Sequence, residues 1–279
     1  MLSLKSERLS RFLYLRISNQ QQAHLAKSVK ISGLIITLNE ERHIGDCIRS
    51  MQAVVDEVVV VDSFSTDRTP GICKELGVRF IQHPFEGYIE QKNYAVQQAS
   101  YEHVLSLDAD ERLSPEMAES IQQVKQNWEG AGYAFNRLNN YCGKWLPHAW
   151  YPDRKIRLWD RRLGQWGGTN PHDTVLLEGD AIRLKGDIYH YPYETLEEHF
   201  KQVVKFATLA AHAKHAKGKK VIFVVHILLG PWYKFVKRYI FQLGFLDGYY
   251  GFIFSALAAY VNFLKYLRLW ELNRHAKRS

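Results

Sequence analysis

Cysteine is scarce in this sequence: Cys47, Cys73 and Cys142 are the three thiols among 279 residues, scattered and without a CxxC pair. That spacing excludes a zinc ribbon and a disulfide framework and points to a reducing compartment. Proline is also sparse, 8 residues beside 18 glycines, while 46% of the chain is hydrophobic and 24% charged. A collagen-like chain and wholesale disorder are excluded by those proportions, and the length is ample for a buried core. Long apolar runs are missing too. The opening MLSLKSERLSRFLYLRIS is broken by Lys5, Glu7, Arg8 and Arg11, so no secretory signal is expected there. It reads either as a short amphipathic helix, with Leu9, Phe12 and Leu13 on one side, or as an irregular basic extension.

Charge of one sign is missing from the ends rather than from the whole. The formal net charge is +8, yet residues 1–30 carry six Lys/Arg against one Glu, and residues 201–279 carry fourteen against two. The remaining 31–200 hold seventeen basic residues against twenty-six acidic ones. A nucleic-acid reader would carry its basic stripe on the folded body, so no nucleic-acid partner is expected. An acidic body with basic ends suits a catalytic domain held against an anionic membrane surface.

What is present is an alternation of short apolar strands and helices. Ile31–Thr37 and Val58–Val61 bracket a segment in which Ile44, Cys47, Ile48 and Met51 recur at helical spacing. A helix over 69–76, a strand over 78–81, a helix over 91–98 and a strand from His103 to Leu107 continue the series. This order predicts an α/β class with a mostly parallel sheet flanked by helices, and ligands at the carboxyl ends of its strands. Those ends read Thr37-Leu38-Asn39-Glu40, Asp62-Ser63-Phe64-Ser65 and Asp108-Ala109-Asp110. Residues 132–190 become mixed strands and loops rich in Trp, Tyr, Gly and Arg. From Glu194 the chain turns helical, and 221–270 is apolar and aromatic. Its longest uncharged run, 248–264, has seventeen residues, short of the about twenty that a spanning helix needs. Helices lying in the interface, flanked by Lys234, Lys237, Arg238, Lys265 and Arg268, are expected, although the same residues could close the core of a domain.

Two carboxylates one residue apart at a strand end can both turn toward one hard cation such as Mg²⁺ or Mn²⁺. A lone DxD is weak, because aspartates also cap helices, but Ser114-Pro115-Glu116 supplies its own cap to the next helix and leaves Asp108 and Asp110 spare. The motifs Thr37-Leu38-Asn39-Glu40-Glu41, Asp62-Ser63-Phe64-Ser65-Thr66-Asp67, Gln91-Lys92-Asn93 and Asp108-Ala109-Asp110, in that order, resemble those of family 2 glycosyltransferases. The resemblance extends over about residues 31–270. Trp150-Tyr151-Pro152-Asp153-Arg154, Arg157-Leu158 and Gly244-Phe245-Leu246-Asp247-Gly248 followed by Gly251 look like the branch of β-1,4-glucosyltransferases acting on the lipopolysaccharide inner core.

The resemblance implies a GT-A fold over 31–200, a basic extension over 1–30 and a membrane-associating helical region over 201–279. It implies a UDP-sugar donor, with Thr37, Asn39, Glu40, Asp62, Ser65, Asp67, Lys92, Asn93, Asp108 and Ala109 lining its site. Asp110, Asp108 and His190 would hold Mg²⁺ or Mn²⁺, and Arg154 and Arg157 would hold the diphosphate or a phosphorylated core sugar. Asp173, in Pro171-His172-Asp173, stands where His-Glu is usual and is the expected base for an inverting transfer. Phe64 stands where a small residue, often Gly, is usual. The expected acceptor is a lipopolysaccharide core or lipid-linked saccharide, met at the cytoplasmic face of the bacterial inner membrane by a peripheral protein. A polyprenyl-phosphate sugar transferase, or an inactive membrane-bound scaffold of the same fold, are the competing readings.

Overall fold

The computed structural model describes residues 28–170 and 172–276. The expected N-terminal helix or extension lies outside the described residues. The strands are β1 (Ile31–Thr37), β2 (Glu57–Asp62), β3 (Arg79–Gln82), β4 (His103–Asp108), β5 (Glu111–Leu113), β6 (Gly132–Tyr141), β7 (Lys144–Trp145), β8 (Asp153–Asp160), β9 (Gly164–Thr169), β10 (His172–Leu177) and β11 (Ala181–Tyr193). The helices are α1 (Ile44–Gln52), α2 (Thr69–Glu75), α3 (Tyr88–Gln98), α4 (Pro115–Gln126), α5 (Leu196–Ala216), α6 (Gly230–Val236) and α7 (Gly248–His275). The chain forms two compact units that interleave in sequence. One runs to Ala109 and adds Ser114–Ala134 and Ile156–Gly186; the other takes Asp110–Leu113, Phe135–Lys155 and Asp187 onward.

In the first unit β3, β2, β1 and β4 lie side by side and parallel, with Thr37 opposite Asp62 and Ile36 opposite Asp108. Val58–Val61 are buried along their whole length, as a strand covered on both faces requires. The buried faces of Ile44, Cys47, Ile48 and Met51 put α1 against this sheet. β8 closes the series antiparallel to β4, and β9 pairs with β10 as a separate hairpin. Leu34, Val59, Val61, Val104, Trp159 and Trp166 fill the core between them. Ser114 caps α4 by accepting from Met117 N at 3.2 Å, the role its position before Pro115 predicts.

In the second unit β11 pairs antiparallel with β5, setting His190 opposite Glu111. Tyr141, Leu146, Ala149 and Phe254 form its core, with the Trp150 ring stacked on Phe254 at 4.5 Å. α5 starts at a capping box in which Thr195 accepts from Glu198 N while the Glu198 carboxylate reaches back. Between α5 and α7 the chain winds through two short π-helical turns, Val224–Leu229 and Lys237–Phe241, on either side of α6. The Gly244–Gly248 stretch has a structural explanation. Asp247 is buried and accepts from His148 Nδ1 and Ala149 N, both at 2.7 Å, and a Cβ at Gly251 would collide with the Gly244 carbonyl. Counting only the uncharged run understated the helix that follows. After a 3-10 turn over Gly244–Asp247 and a positive φ at Gly248, α7 runs 28 residues to His275, past Lys265 and Arg268, and by length and composition the stretch Gly244–His275 could cross a membrane.

Candidate active site

The carboxyl ends of β1 and β2 are knitted into one platform. Asn39 N donates to Ser65 Oγ at 2.8 Å, Thr66 N donates to Asn39 Oδ1 at 2.8 Å, and Ser65 N donates to Asp62 Oδ2 at 2.8 Å. Glu40 N donates to Thr69 Oγ1 at 2.9 Å, and Asp67 accepts from Glu41 N at 3.0 Å and from Thr69 N at 2.9 Å. Asn39, Asp62, Ser65 and Asp67 therefore shape the two loops through their own side chains. Thr37 Oγ1 is buried at the same strand end and has no hydrogen-bond partner among the described residues, a polar group of the kind that a bound ligand satisfies. Phe64 has a φ of 63°, the left-handed region that glycine enters without strain, and its ring is exposed. The departure from a small residue thus falls where the backbone most favours one. Beside this platform, burial and the charge of Asp62 push the Cys73 thiol up to about 12, so it is inert.

Four charged side chains meet at the end of β4. Lys92, on α3 and 4% exposed, is 2.7 Å from Asp108 Oδ1 and 2.7 Å from Asp173 Oδ2. Arg157, on β8 and equally buried, meets Asp108 Oδ2 at 2.7 Å. Burial by itself would raise the Asp108 carboxyl; the Arg157 guanidinium and then the Lys92 ammonium override it and hold the group well below the usual carboxylate range. Both cations also lie over the Trp166 ring, at 4.4 Å for Lys92 and 5.6 Å for Arg157. Asn93 grips the same strand, its amide donating to Trp166 O at 2.9 Å and accepting from Trp166 N at 3.0 Å. Helix α3 thereby fixes β9 and, through the β9–β10 pairing of Gly168 with Asp173, the position of Asp173. Sequence reasoning named Lys92, Asp108, Asp173 and Arg157 but missed Trp166, which has no signal in one sequence beyond its glycine-rich setting.

The second unit holds the other members of the expected set. His190 Nε2 is 3.3 Å from Asp110 Oδ2, and His190 Nδ1 is 2.6 Å from Asn139 Oδ1. The Asn139 amide nitrogen is committed to the Trp150 carbonyl at 3.0 Å, so its oxygen faces the imidazole. Nδ1 therefore donates to Asn139, and Nε2 faces the Asp110 carboxylate. A carboxylate and an imidazole facing one another suit a divalent cation, and Mg²⁺ or Mn²⁺ commonly takes few protein ligands beside phosphate oxygens and water. Among the described residues no group of three or more His, Cys, Asp or Glu is placed to hold a metal. Burial and then the Asp110 charge push the Tyr193 hydroxyl up to about 12. Arg137 bonds Glu111 at 3.0 Å and Asp153 at 2.9 Å, whereas Arg154 projects into solvent. Asn139 was not foreseen; an asparagine within a strand has no sequence signal.

An α/β sheet with polar loops at its carboxyl ends and an aspartate pair at the central strand defines a nucleotide-sugar transferase of the GT-A type. Residues 32–177 match the Glycosyl transferase family 2 profile, and the chain belongs to that family. It is an enzyme of the glycosyltransferase class. An uncharacterized glycosyltransferase of Rickettsia typhi is 32% identical over 257 residues, 88% of each chain. The lipopolysaccharide core biosynthesis glycosyltransferase LpsC of Rhizobium meliloti is 29% identical over 258 residues, 89% of this chain and 94% of LpsC. Among solved structures, S. aureus TarS in complex with UDP-GlcNAc superposes with a TM-score of 0.49 at 17% identity, over 89% of this chain and 92% of that one.

Proposed function

We propose that this enzyme transfers a hexose, with glucose the first candidate, from a UDP-sugar to an inner-core sugar of lipopolysaccharide, with inversion. The observation that carries the reading is the placement of Asp173 beside the buried Lys92, which also holds Asp108, at the carboxyl end of the parallel sheet. The similarity to LpsC along nearly the whole of both chains supports the acceptor class.

In this reading the β1 and β2 loops receive the nucleoside, with Asp62 and Asn39 as acceptors for its N–H and hydroxyl groups and Thr37 Oγ1 as a further partner. Asp173 takes the proton of the attacking acceptor hydroxyl, and Lys92 orients its carboxylate for that role. Inversion needs one carboxylate base and no covalent intermediate on the enzyme. Asp110 and His190, with Asp108 preceding them in the motif, would hold Mg²⁺ or Mn²⁺. When bound, such a cation neutralises the charge that grows on the departing diphosphate. Asn139, bonded to Nδ1, orients Nε2 of His190 toward Asp110, and Arg154, exposed, can meet an anionic group on the acceptor. The basic and aromatic region 201–279 associates the enzyme peripherally with the cytoplasmic face of the inner membrane, where a lipid-anchored acceptor is presented.

The test is transfer from a panel of radiolabelled nucleotide sugars to purified core acceptors. Label from a UDP-hexose appearing in extended core oligosaccharide is expected. Label appearing instead as a lipid-linked monosaccharide would replace this reading with polyprenyl-phosphate transfer.

A further inference from the structure

The helices of the second unit contain a group of cations that no carboxylate answers. Between Glu198 and Glu271 the sequence has a single acid, Asp247, and that one is buried against His148 and Ala149. Two lysines from two helices nevertheless come together. Lys265 Nζ, on α7, lies 4.7 Å from the centre of the Tyr266 ring, and Lys214 Nζ, on α5, lies 5.6 Å from the same ring. The charge of Lys234, on α6, also acts on Lys265. His226 stacks on Tyr266 at 4.6 Å, so the ring is held in place from another segment. Among the described residues none of the three lysines has an ion pair with an acid, whereas Arg268, one turn along α7, pairs with Glu271.

Such a cluster is costly by itself. Burial, followed by the charges of Lys214 and Lys234, pushes the Lys265 ammonium down to about 8. Removing water from a cation beside two like charges is sustained when an anion arrives to compensate them. The surroundings say which kind of anion. Leu228, Leu229, Trp232 and Tyr233, adjoining Lys234, are each more than half exposed, with Trp232 at 67%. A soluble phosphate ion has no use for those side chains; a phosphate attached to an acyl chain does, because apolar residues enter the acyl boundary while lysines stay at the headgroup level.

We propose that Lys214 and Lys265, set over the Tyr266 ring and joined by the charge of Lys234, bind the phosphate of an anionic membrane phospholipid. The inference rests on the peripheral membrane attachment argued above and assigns that attachment a specific headgroup site instead of a diffuse basic surface.

Sedimentation with vesicles of phosphatidylcholine alone, and with about a third phosphatidylglycerol, separates the two levels. The full-length protein is expected to prefer the anionic vesicles. K214Q/K265Q should weaken that binding by about thirtyfold, taking about 1 kcal/mol per lysine near an anionic surface. The charge-matched K219Q/K220Q, which alters two exposed lysines of the same region, should lose clearly less. The lysine variant relieves like-charge repulsion, so it should melt no lower than wild type. If wild type ignores both vesicle types, membrane attachment itself is wrong and the site falls with it. If wild type binds and the two double variants lose affinity equally, attachment stands and the site is overturned. Displacement from vesicles by millimolar inorganic phosphate would also overturn it, since the site would then take free phosphate and not a lipid.

Discussion

The two units handle buried charge in opposite ways. In the first, Lys92 and Arg157 are almost fully buried, yet Asp108 and Asp173 stand 2.7 Å away and compensate them. In the helices of the second, Lys214 and Lys265 lie over one tyrosine within reach of the charge of Lys234, and among the described residues none of them pairs with a carboxylate. A closed set of charges holds its shape without a ligand and presents pre-oriented groups to a reaction. An open set of one sign is complete only with an outside partner. The contrast suggests that the sheet unit is preorganised for chemistry while the helical unit is built for attachment. The sharpest ways to break that contrast are substitutions that should act in one unit and not in the other.

The largest effect is expected for Asp173→Asn. The amide is nearly isosteric and cannot take the acceptor proton, so kcat should fall about 10²- to 10⁴-fold while UDP-sugar affinity, measured by calorimetry, stays within a few-fold. A kcat near wild type would move the base elsewhere. Next is Asp110→Asn, expected to lower turnover by about 10²-fold or more and to make donor binding indifferent to added Mn²⁺. Its readout should include Mn²⁺ binding by the protein without donor, which the substitution should weaken. Undiminished Mn²⁺ binding would remove Asp110 from the cation site.

A third comparison sets two lysines against each other. Lys92→Met removes the buried cation that Asp173 and Asp108 share, and should destabilise the protein by about 3 kcal/mol in denaturant titration. Lys265→Met deletes a cation that already repels its neighbours and should leave stability unchanged or slightly raised. Losses of similar size in both would mean that the two sets of charges are held in the same way after all.

Much of the first unit was legible in the sequence, because alternating apolar strands and amphipathic segments such as Ile44–Met51 carry a strong period and the strand ends are marked by polar residues. Asp108, Lys92 and Asp173 were named from motifs. That Arg157 would pair with Asp108 was not foreseen, since nothing local sets which partner a residue 49 positions away will find. The roles of Asn39, Ser65 and Asp67 in tying two loops together were hidden for the same reason. In the second unit Asn139 was invisible, and the full run of α7 from Gly248 to His275 was obscured by charges that a helix accommodates on one side. The Gly244–Gly251 signature was visible as a pattern, but its cause, a buried Asp247 and a glycine pressed against a carbonyl, needed three dimensions.

The smallest effect separates the units by pH. His199 is buried in the second unit, with Nδ1 2.7 Å from the Tyr141 hydroxyl and its ring stacked on Tyr193, and burial pushes it down to about 4. The unfolded chain takes up this proton below about 6.5, whereas the folded one resists it until about 4, so stability is full at neutral pH and drains as pH falls through that interval. Between pH 7 and 5 the loss should be about 2 kcal/mol from this one ring. The depressed Asp108 of the first unit behaves otherwise. Its contribution is intact above the unfolded value near 3.9 and is lost only as pH falls below that toward its lower folded value. Thermal melts of wild type and His199→Phe from pH 7.5 to 4.5 should therefore converge as the pH falls, even if the variant starts lower for want of the Tyr141 bond. The difference between the two proteins also sets aside His103 of the first unit, whose proton is disfavoured by burial as well. Parallel curves would show that His199 takes its proton as readily folded as unfolded, and the second unit would then have no acid-sensitive centre at this ring.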